Sequence, residues 1–152
     1  QFPADQFMGR ALVIDCRDLK EGEAISMKQI LRYGEKAEEA DFLLFYSGWD
    51  QYWGTSRYFG EYPCVDDEVL DFIIQGRYKG IGFDVMGLDP IRDENLPRHK
   101  KLFQGRNMVN IENLKNLGLC GHDLFRFFCF PMKIRNSDGA PVRAAACVEE
   151  EK

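Results

Sequence analysis

The order of apolar runs, helix signals and turns predicts an α/β domain built on a mixed sheet. Three observations carry this. Apolar runs of strand length occupy residues 11–16, 42–46, 80–84, 108–111, 124–134 and 142–148, each short enough for a strand and bounded by polar or Gly-containing stretches. Stretches with helical start and stop signals lie between the earlier runs, an interleaving that belongs to α/β architecture. The last two runs flank Asn136-Ser137-Asp138-Gly139, whose Asp-Gly pair signals a hairpin.

The elements can be justified in order. The chain opens on Gln1-Phe2-Pro3-Ala4-Asp5 rather than a start methionine, and residues 11–16 already read as a buried strand. Ser26 followed by Gln29 forms a capping-box pattern, predicting a helix to about Tyr33 that Gly34 closes. Residues 36–41 are charged and read as a loop or helix end. Phe42-Leu43-Leu44-Phe45-Tyr46 is apolar throughout, as expected of a central strand. Residues 47–63 are rich in glycine and aromatics with no clean period, so a binding loop or a subunit contact is expected. Asp66 or Asp67 then caps a helix with Val69, Leu70, Phe72, Ile73 and Ile74 on a buried face, ending at Gly76.

Residues 79–117 form the centre of the reading. The run Gly80-Ile81-Gly82-Phe83 stops at Asp84, a polar loop with Pro90 and Pro97 follows, and residues 108–111 make a second strand ending at Glu112. Strand ends are where binding groups converge in α/β proteins. A short helix is expected over 113–117, leading to Gly118. The tail 149–152 is expected to fray.

Composition bounds the function. The 152 residues fit one domain, 1–152, with a sizeable core, burying about 70% of the unfolded chain's surface. The apolar and charged fractions, 45% and 30%, are ordinary for a soluble protein. Net charge is −5 with no basic block, which argues against nucleic acid or an anionic membrane as partner. No run of 18 apolar residues and no signal peptide occurs. The cysteines, Cys16, Cys64, Cys120, Cys129 and Cys147, are odd in number and lack CxxC spacing, so free structural thiols in a reducing cytoplasm are expected.

Few residues suggest chemistry. His99 lies between Arg98 and Lys100 in the polar loop, where a solvated surface histidine is the plain alternative. Glu112 could simply cap the next helix, and Asp84 could accept backbone amides of the turn at 86–89. Trp49, Tyr52 and Trp53 could be lid packing, an interface or a stacking wall for a planar ligand. His122 reads as an exposed loop residue. Gly80 and Gly82 are not a phosphate loop, because no Gly-Lys-Ser/Thr follows; they allow close backbone approach. No Gly-x-Ser-x-Gly elbow occurs.

Five segments in order carry a resemblance: Tyr46-Ser47-Gly48-Trp49-Asp50-Gln51-Tyr52-Trp53, Gly80-Ile81-Gly82-Phe83-Asp84, Leu96-Pro97-Arg98-His99, Ile111-Glu112-Asn113-Leu114 and Asp138-Gly139-Ala140-Pro141-Val142-Arg143-Ala144. Over residues 5–148 the chain resembles the metal-dependent cyclase family, which includes bacterial kynurenine formamidases and isatin hydrolases. The resemblance implies the swivelling β/β/α fold and hydrolysis of a small amide or cyclic amide at divalent metal. It implies His99 and Glu112 as metal ligands, Zn²⁺ or Mn²⁺ as the ion, Trp49 and Trp53 at the substrate and a homo-oligomer. It leaves the catalytic base unassigned.

Two departures stand out. The family's His-x-Gly-Thr-His-x-Asp-x-Pro motif, which supplies the main ligands, is absent from these residues, and Gly87 stands where the family has Ser. A catalytic zinc usually has three protein ligands plus water, and two are left here. The expectation is therefore a cyclase-like domain with its N-terminal part missing and inactive as it stands. The alternative is a non-catalytic cyclase-like scaffold serving as a binding or assembly protein.

Overall fold

The structure, a computed structural model, describes residues 2–105 and 107–148; the tail at 149–152 expected to fray lies outside the described residues. Strand β1 (Met8–Asp15) runs into the core, with Ala11, Leu12, Val13 and Ile14 all buried. The two-residue β2 (Ala24–Ile25) follows, then α1 (Met27–Leu31). Ser26 starts α1 as expected, its backbone N–H and Oγ donating to Gln29 Oε1 at 3.1 and 3.0 Å. The charged stretch after Gly34 is helical, α2 (Glu35–Glu39).

Strand β3 (Phe42–Tyr46) occupies the predicted residues. The long aromatic loop contains two 3-10 turns, Trp49–Tyr52 and Ser56–Phe59, and ends in β4 (Cys64–Val65), which pairs in parallel with β2 as a small second sheet. Asp66 caps α3 (Asp67–Gln75), accepting the Val69 N–H at 2.8 Å, and Gly76 closes it.

Strand β5 (Gly80–Phe83) is followed by an element that the sequence reading had as loop, helix α4 (Pro97–Gly105). His99 therefore sits in the first turn of a helix. After β6 (Val109–Ile111), the helix expected at 113–117 does not form. Asn113 and Asn116 adopt left-handed φ of 59° and 64°, which interrupts a helix, and only a 3-10 turn at Leu117–Leu119 remains. Strands β7 (Phe125–Pro131) and β8 (Val142–Cys147) form the predicted antiparallel hairpin. Its connection spans residues 132–141 rather than a tight Asp-Gly turn.

The main sheet has the order β6-β5-β3-β1-β7-β8. Strands β1, β3, β5 and β6 are mutually parallel, and β7 and β8 are antiparallel to their neighbours, so the expected mixed sheet is present. Alternation of side chains along the central strands gives two cores. Leu12, Ile14, Leu43, Phe45, Ile81 and Phe83 pack with Val69, Leu70 and Ile73 of α3. Ala11, Val13, Phe42 and Leu44 pack with Phe125, Phe127 and Leu114. The glycines of β5 allow this closeness. A Cβ at Gly80 would lie 2.6 Å from the Val109 carbonyl oxygen, and one at Gly82 would lie 2.7 Å from Leu114. Because four strands run parallel, Asp84 and Glu112 emerge from their carboxyl ends on the same edge of the sheet.

Candidate metal site at the carboxyl ends of β5 and β6

The site is built around a buried carboxylate that sequence reading passed over. Helix α4 begins with Pro97, and the residue before it, Leu96, has φ of 49° and no side chain able to cap. The exposed N–H groups of the first turn need an acceptor, and Asp89 supplies it. The Arg98 N–H donates to Asp89 Oδ1 at 2.8 Å and the His99 N–H to Oδ2 at 3.0 Å. The Asp89 side chain is wholly buried. Its own loop is held by Tyr62, whose hydroxyl donates to the Asp89 carbonyl at 2.9 Å.

The same carboxylate aims the imidazole. His99 Nδ1 lies 2.6 Å from Asp89 Oδ2, while Nε2 lies 3.0 Å from Glu112 Oε1. The Asp89 contact fixes Nδ1 as the protonated nitrogen and turns Nε2 toward Glu112, the arrangement in which a histidine serves as a metal ligand. The His99 side chain is 21% exposed and that of Glu112 31%, so the pair is open to a small ion. His99 is thus not a solvated surface residue. The Glu112 hydrogen bond, followed by that of Asp89, holds its pKa above the usual histidine value against the opposing effect of burial. Asn110, two residues before Glu112, donates from Nδ2 to Glu112 Oε1 at 2.9 Å. Glu112 therefore faces the site and caps no helix.

Asp84 plays another part. It is buried and accepts the Ser47 N–H at 3.0 Å, the Ser47 hydroxyl at 2.7 Å and the Trp49 N–H at 3.0 Å, and not the amides of residues 86–89. It pins the start of the aromatic loop to β5. Burial raises its pKa against these hydrogen bonds. Trp49 lies below that loop, 5% exposed, its indole N–H donating to the Tyr58 carbonyl at 3.0 Å. Trp53 is 61% exposed and lines a cleft of about 120 Å³ with Asp50, Tyr58, Asn113, Leu114 and Lys115. Tyr58 is buried in its wall, its hydroxyl donating to Asn113 Oδ1 at 2.7 Å, and burial pushes its pKa up to about 12. The cleft adjoins Glu112 through Asn113. His122 is exposed, as expected.

The donor chemistry fits a divalent ion in part. A neutral imidazole nitrogen and a carboxylate oxygen, side by side and oriented from behind, suit Zn²⁺ or Mn²⁺ alike. Among the described residues no group of three or more His, Cys, Asp or Glu side chains is placed to hold an ion. The residues present thus fit as part of a coordination sphere. All five cysteines are free; Cys147 is exposed, although it lies in an apolar, strand-like run. Among the described residues no helix is long and apolar enough to cross a membrane.

Known proteins resemble this chain in sequence and in fold. An uncharacterised protein of Methanocaldococcus jannaschii is 33% identical over 126 residues, which cover 82% of this chain. A kynurenine formamidase of Bacillus cytotoxicus is 26% identical over 139 residues, 91% of the chain. The chain spans 62% of the length of each of these relatives. Isatin hydrolase A from Labrenzia aggregata, solved with benzyl benzoate, superposes with a TM-score of 0.85 at 22% identity, covering 98% of this chain and 64% of its own. A structure described as a potential metal-dependent hydrolase with cyclase activity superposes with a TM-score of 0.69 at 20% identity, covering 98% of this chain and 69% of its own. These neighbours share the fold, the cyclase-like α/β architecture expected from the sequence. The Cyclase family model, described as "Putative cyclase", matches residues 1–90, more than half of the chain and all of the framework that carries Asp84 and Asp89. On this match, the chain belongs to the cyclase family.

Proposed function

We propose that this chain contributes His99 and Glu112 to the divalent metal centre of a hydrolase that opens a small amide or cyclic amide. The observation that carries the reading is the Asp89–His99–Glu112 line, in which a buried carboxylate at 2.6 Å orients an imidazole whose other nitrogen meets a second carboxylate at 3.0 Å. The relatives described as a kynurenine formamidase and an isatin hydrolase support the substrate class. A bound Zn²⁺ or Mn²⁺ supplies an acidified water and a polarised carbonyl.

The chain's own residues do the rest. Asp89 holds the Nδ1 proton and so keeps Nε2 available. Trp53 offers an aromatic face at the edge of the cleft, and Trp49 supports the loop from beneath. Tyr58, with its pKa near 12, stays protonated at neutral pH and keeps its one O–H on Asn113 Oδ1, which holds the cleft wall in place. A catalytic zinc usually has three protein ligands, so donors beyond His99 and Glu112 are needed, from this chain, from sequence outside these 152 residues or from another subunit of a homo-oligomer. The 152-residue chain alone is then inactive. Five free thiols suit a reducing cytoplasm, and neither nucleic acid nor membrane is a partner in this reading.

The lack of a third His, Cys, Asp or Glu donor among the described residues also favours a second reading, a non-catalytic scaffold that binds a small molecule or protein. The deciding experiment measures uptake of Zn²⁺ and Mn²⁺, and hydrolysis of an aryl formamide, for the chain and its His99→Gln and Glu112→Gln variants. Uptake lost in both variants supports the metal centre. Uptake unchanged in both refutes it and leaves the scaffold reading.

A further inference from the structure

The side chain of Asn110 enters the same corner and has so far no role beyond a hydrogen bond. Alternation along β6 puts Asn110 and Glu112 on one face of the edge strand, with Asn110 opposite Ile81 in the register. Its Nδ2 lies 2.9 Å from Glu112 Oε1 and 3.2 Å from His99 Nε2. Its Oδ1 is buried and, among the described residues, has no hydrogen-bond partner. Three polar atoms of three side chains thus form a triangle with edges of 2.9, 3.0 and 3.2 Å.

Turning the amide by 180° about its terminal bond exchanges Nδ2 and Oδ1. The exchange loses no hydrogen bond at the buried end, where an unpartnered acceptor becomes an unpartnered donor. At the open end the result depends on what occupies the site. Without a cation, an amide oxygen beside Glu112 would repel the carboxylate, so Nδ2 faces it. With a cation, an amide oxygen becomes the third donor beside the imidazole nitrogen and the carboxylate oxygen. Three donors about 2.1 Å from one ion in octahedral geometry lie about 3.0 Å apart, whereas tetrahedral donors at that distance lie about 3.4 Å apart. The observed edges are hydrogen-bond contacts of 2.9–3.2 Å that leave the three groups close enough to converge on one ion, and an amide oxygen is a hard ligand of the kind that octahedral Mn²⁺ and Mg²⁺ accept more readily than Zn²⁺ does.

We propose that Asn110 is a metal ligand through Oδ1, completing a His99–Glu112–Asn110 face that prefers an octahedral divalent ion such as Mn²⁺ over Zn²⁺. This rests on the metal-centre reading above and adds to it a third donor and a preference among ions.

The test follows Mn²⁺ binding to the metal-free chain by loss of the free-ion electron paramagnetic resonance signal, with Zn²⁺ affinity measured in parallel. The variants are Asn110→Asp, Asn110→Leu and His99→Gln, each checked for folding by its melting curve without metal. Asn110→Asp is decisive, since it replaces an amide oxygen with a charged one and removes the N–H that Glu112 accepts. It should tighten Mn²⁺ binding, while Asn110→Leu should weaken it about tenfold or more and affect Zn²⁺ less. Weaker Mn²⁺ binding in Asn110→Asp would show that the side chain serves as a donor to Glu112, and would overturn the inference. So would unchanged binding in Asn110→Leu. His99→Gln separates the two levels. If it abolishes uptake while Asn110→Leu does not weaken it, only the Asn110 role fails; if it leaves uptake intact, the metal-centre reading fails as well.

Discussion

Asp84 and Asp89 are five residues apart, both buried, and both follow the same strand, yet they do different work. Asp84 is met by neutral donors, two backbone N–H groups and a hydroxyl from Ser47 and Trp49. It fastens a loop, and burial raises its pKa. Asp89 is met by the start of α4, by the His99 imidazole and, at 3.8 Å, by the Arg98 guanidinium. It fastens a helix and aims a histidine with the same two oxygens. A buried acid beside neutral donors builds structure; one beside a titratable ring also sets that ring's chemistry.

The comparison breaks most clearly at Asp89. Asp89→Ala leaves the Arg98 and His99 amides and Nδ1 without their acceptor and strands the cationic side of the contact. A loss of about 3–5 kcal/mol is expected in urea unfolding, together with a 10–100-fold loss of divalent-metal affinity from the freed imidazole, on the order seen for removed orienting partners. Asp84→Ala should cost less, about 1–3 kcal/mol for buried donors left unpaired, and should leave metal affinity unchanged. If the two variants lose metal affinity equally, the division of labour drawn here is wrong.

A smaller effect sharpens the difference. The contact with Glu112 and then that with Asp89 raise the His99 pKa. The folded state therefore binds this proton more tightly than the unfolded chain, whose histidine titrates near 6.5. The stabilisation is complete below about pH 6.5 and fades as pH rises through the higher folded value. In metal-free buffer the unfolding midpoint should fall across that window, and His99→Gln should flatten the slope. A slope unchanged by His99→Gln would assign the pH dependence to another group.

How much of this was legible depends on whether the signal was local. The borders of β3 and α3 could be read because Phe42–Tyr46 is continuously apolar and because Asp66 and Gly76 cap α3 with their own side chain and backbone. Helix α4 could not. Its cap comes from Asp89, eight residues before Pro97 in a loop, and its polar sequence buries Leu102 but exposes Phe103. The expected helix at 113–117 failed for the opposite reason, since Asn113 and Asn116 can take left-handed conformations that no apolar spacing announces. His99 and Glu112 stood out as a loop histidine and a strand-end carboxylate, and the resemblance to a family supplied their role as metal ligands. That they touch, and that Asp89 and Asn110 join them, are facts of tertiary packing. Reading 108–111 as an apolar run concealed that Asn110 alternates to the same side as Glu112.

The smallest effect tests whether burial, rather than charge, makes Asp89 important. Helix α4 also has an ion pair on its outer side, Lys101 to Asp71 of α3 at 2.7 Å, with side chains 40% and 49% exposed. Like Asp89, this contact ties α4 to its surroundings through a carboxylate. Unlike Asp89, it lies in water, where the Coulomb gain is screened and ordering two flexible side chains offsets much of the rest. Lys101→Ala should therefore change the unfolding free energy by no more than about 0.5 kcal/mol, and added salt should erase even that. A loss comparable to that of Asp89→Ala would mean that the α3–α4 contact, and not the capped first turn, holds the helix in place. The aim of His99 would then depend on packing along α4 more than on the carboxylate at its start.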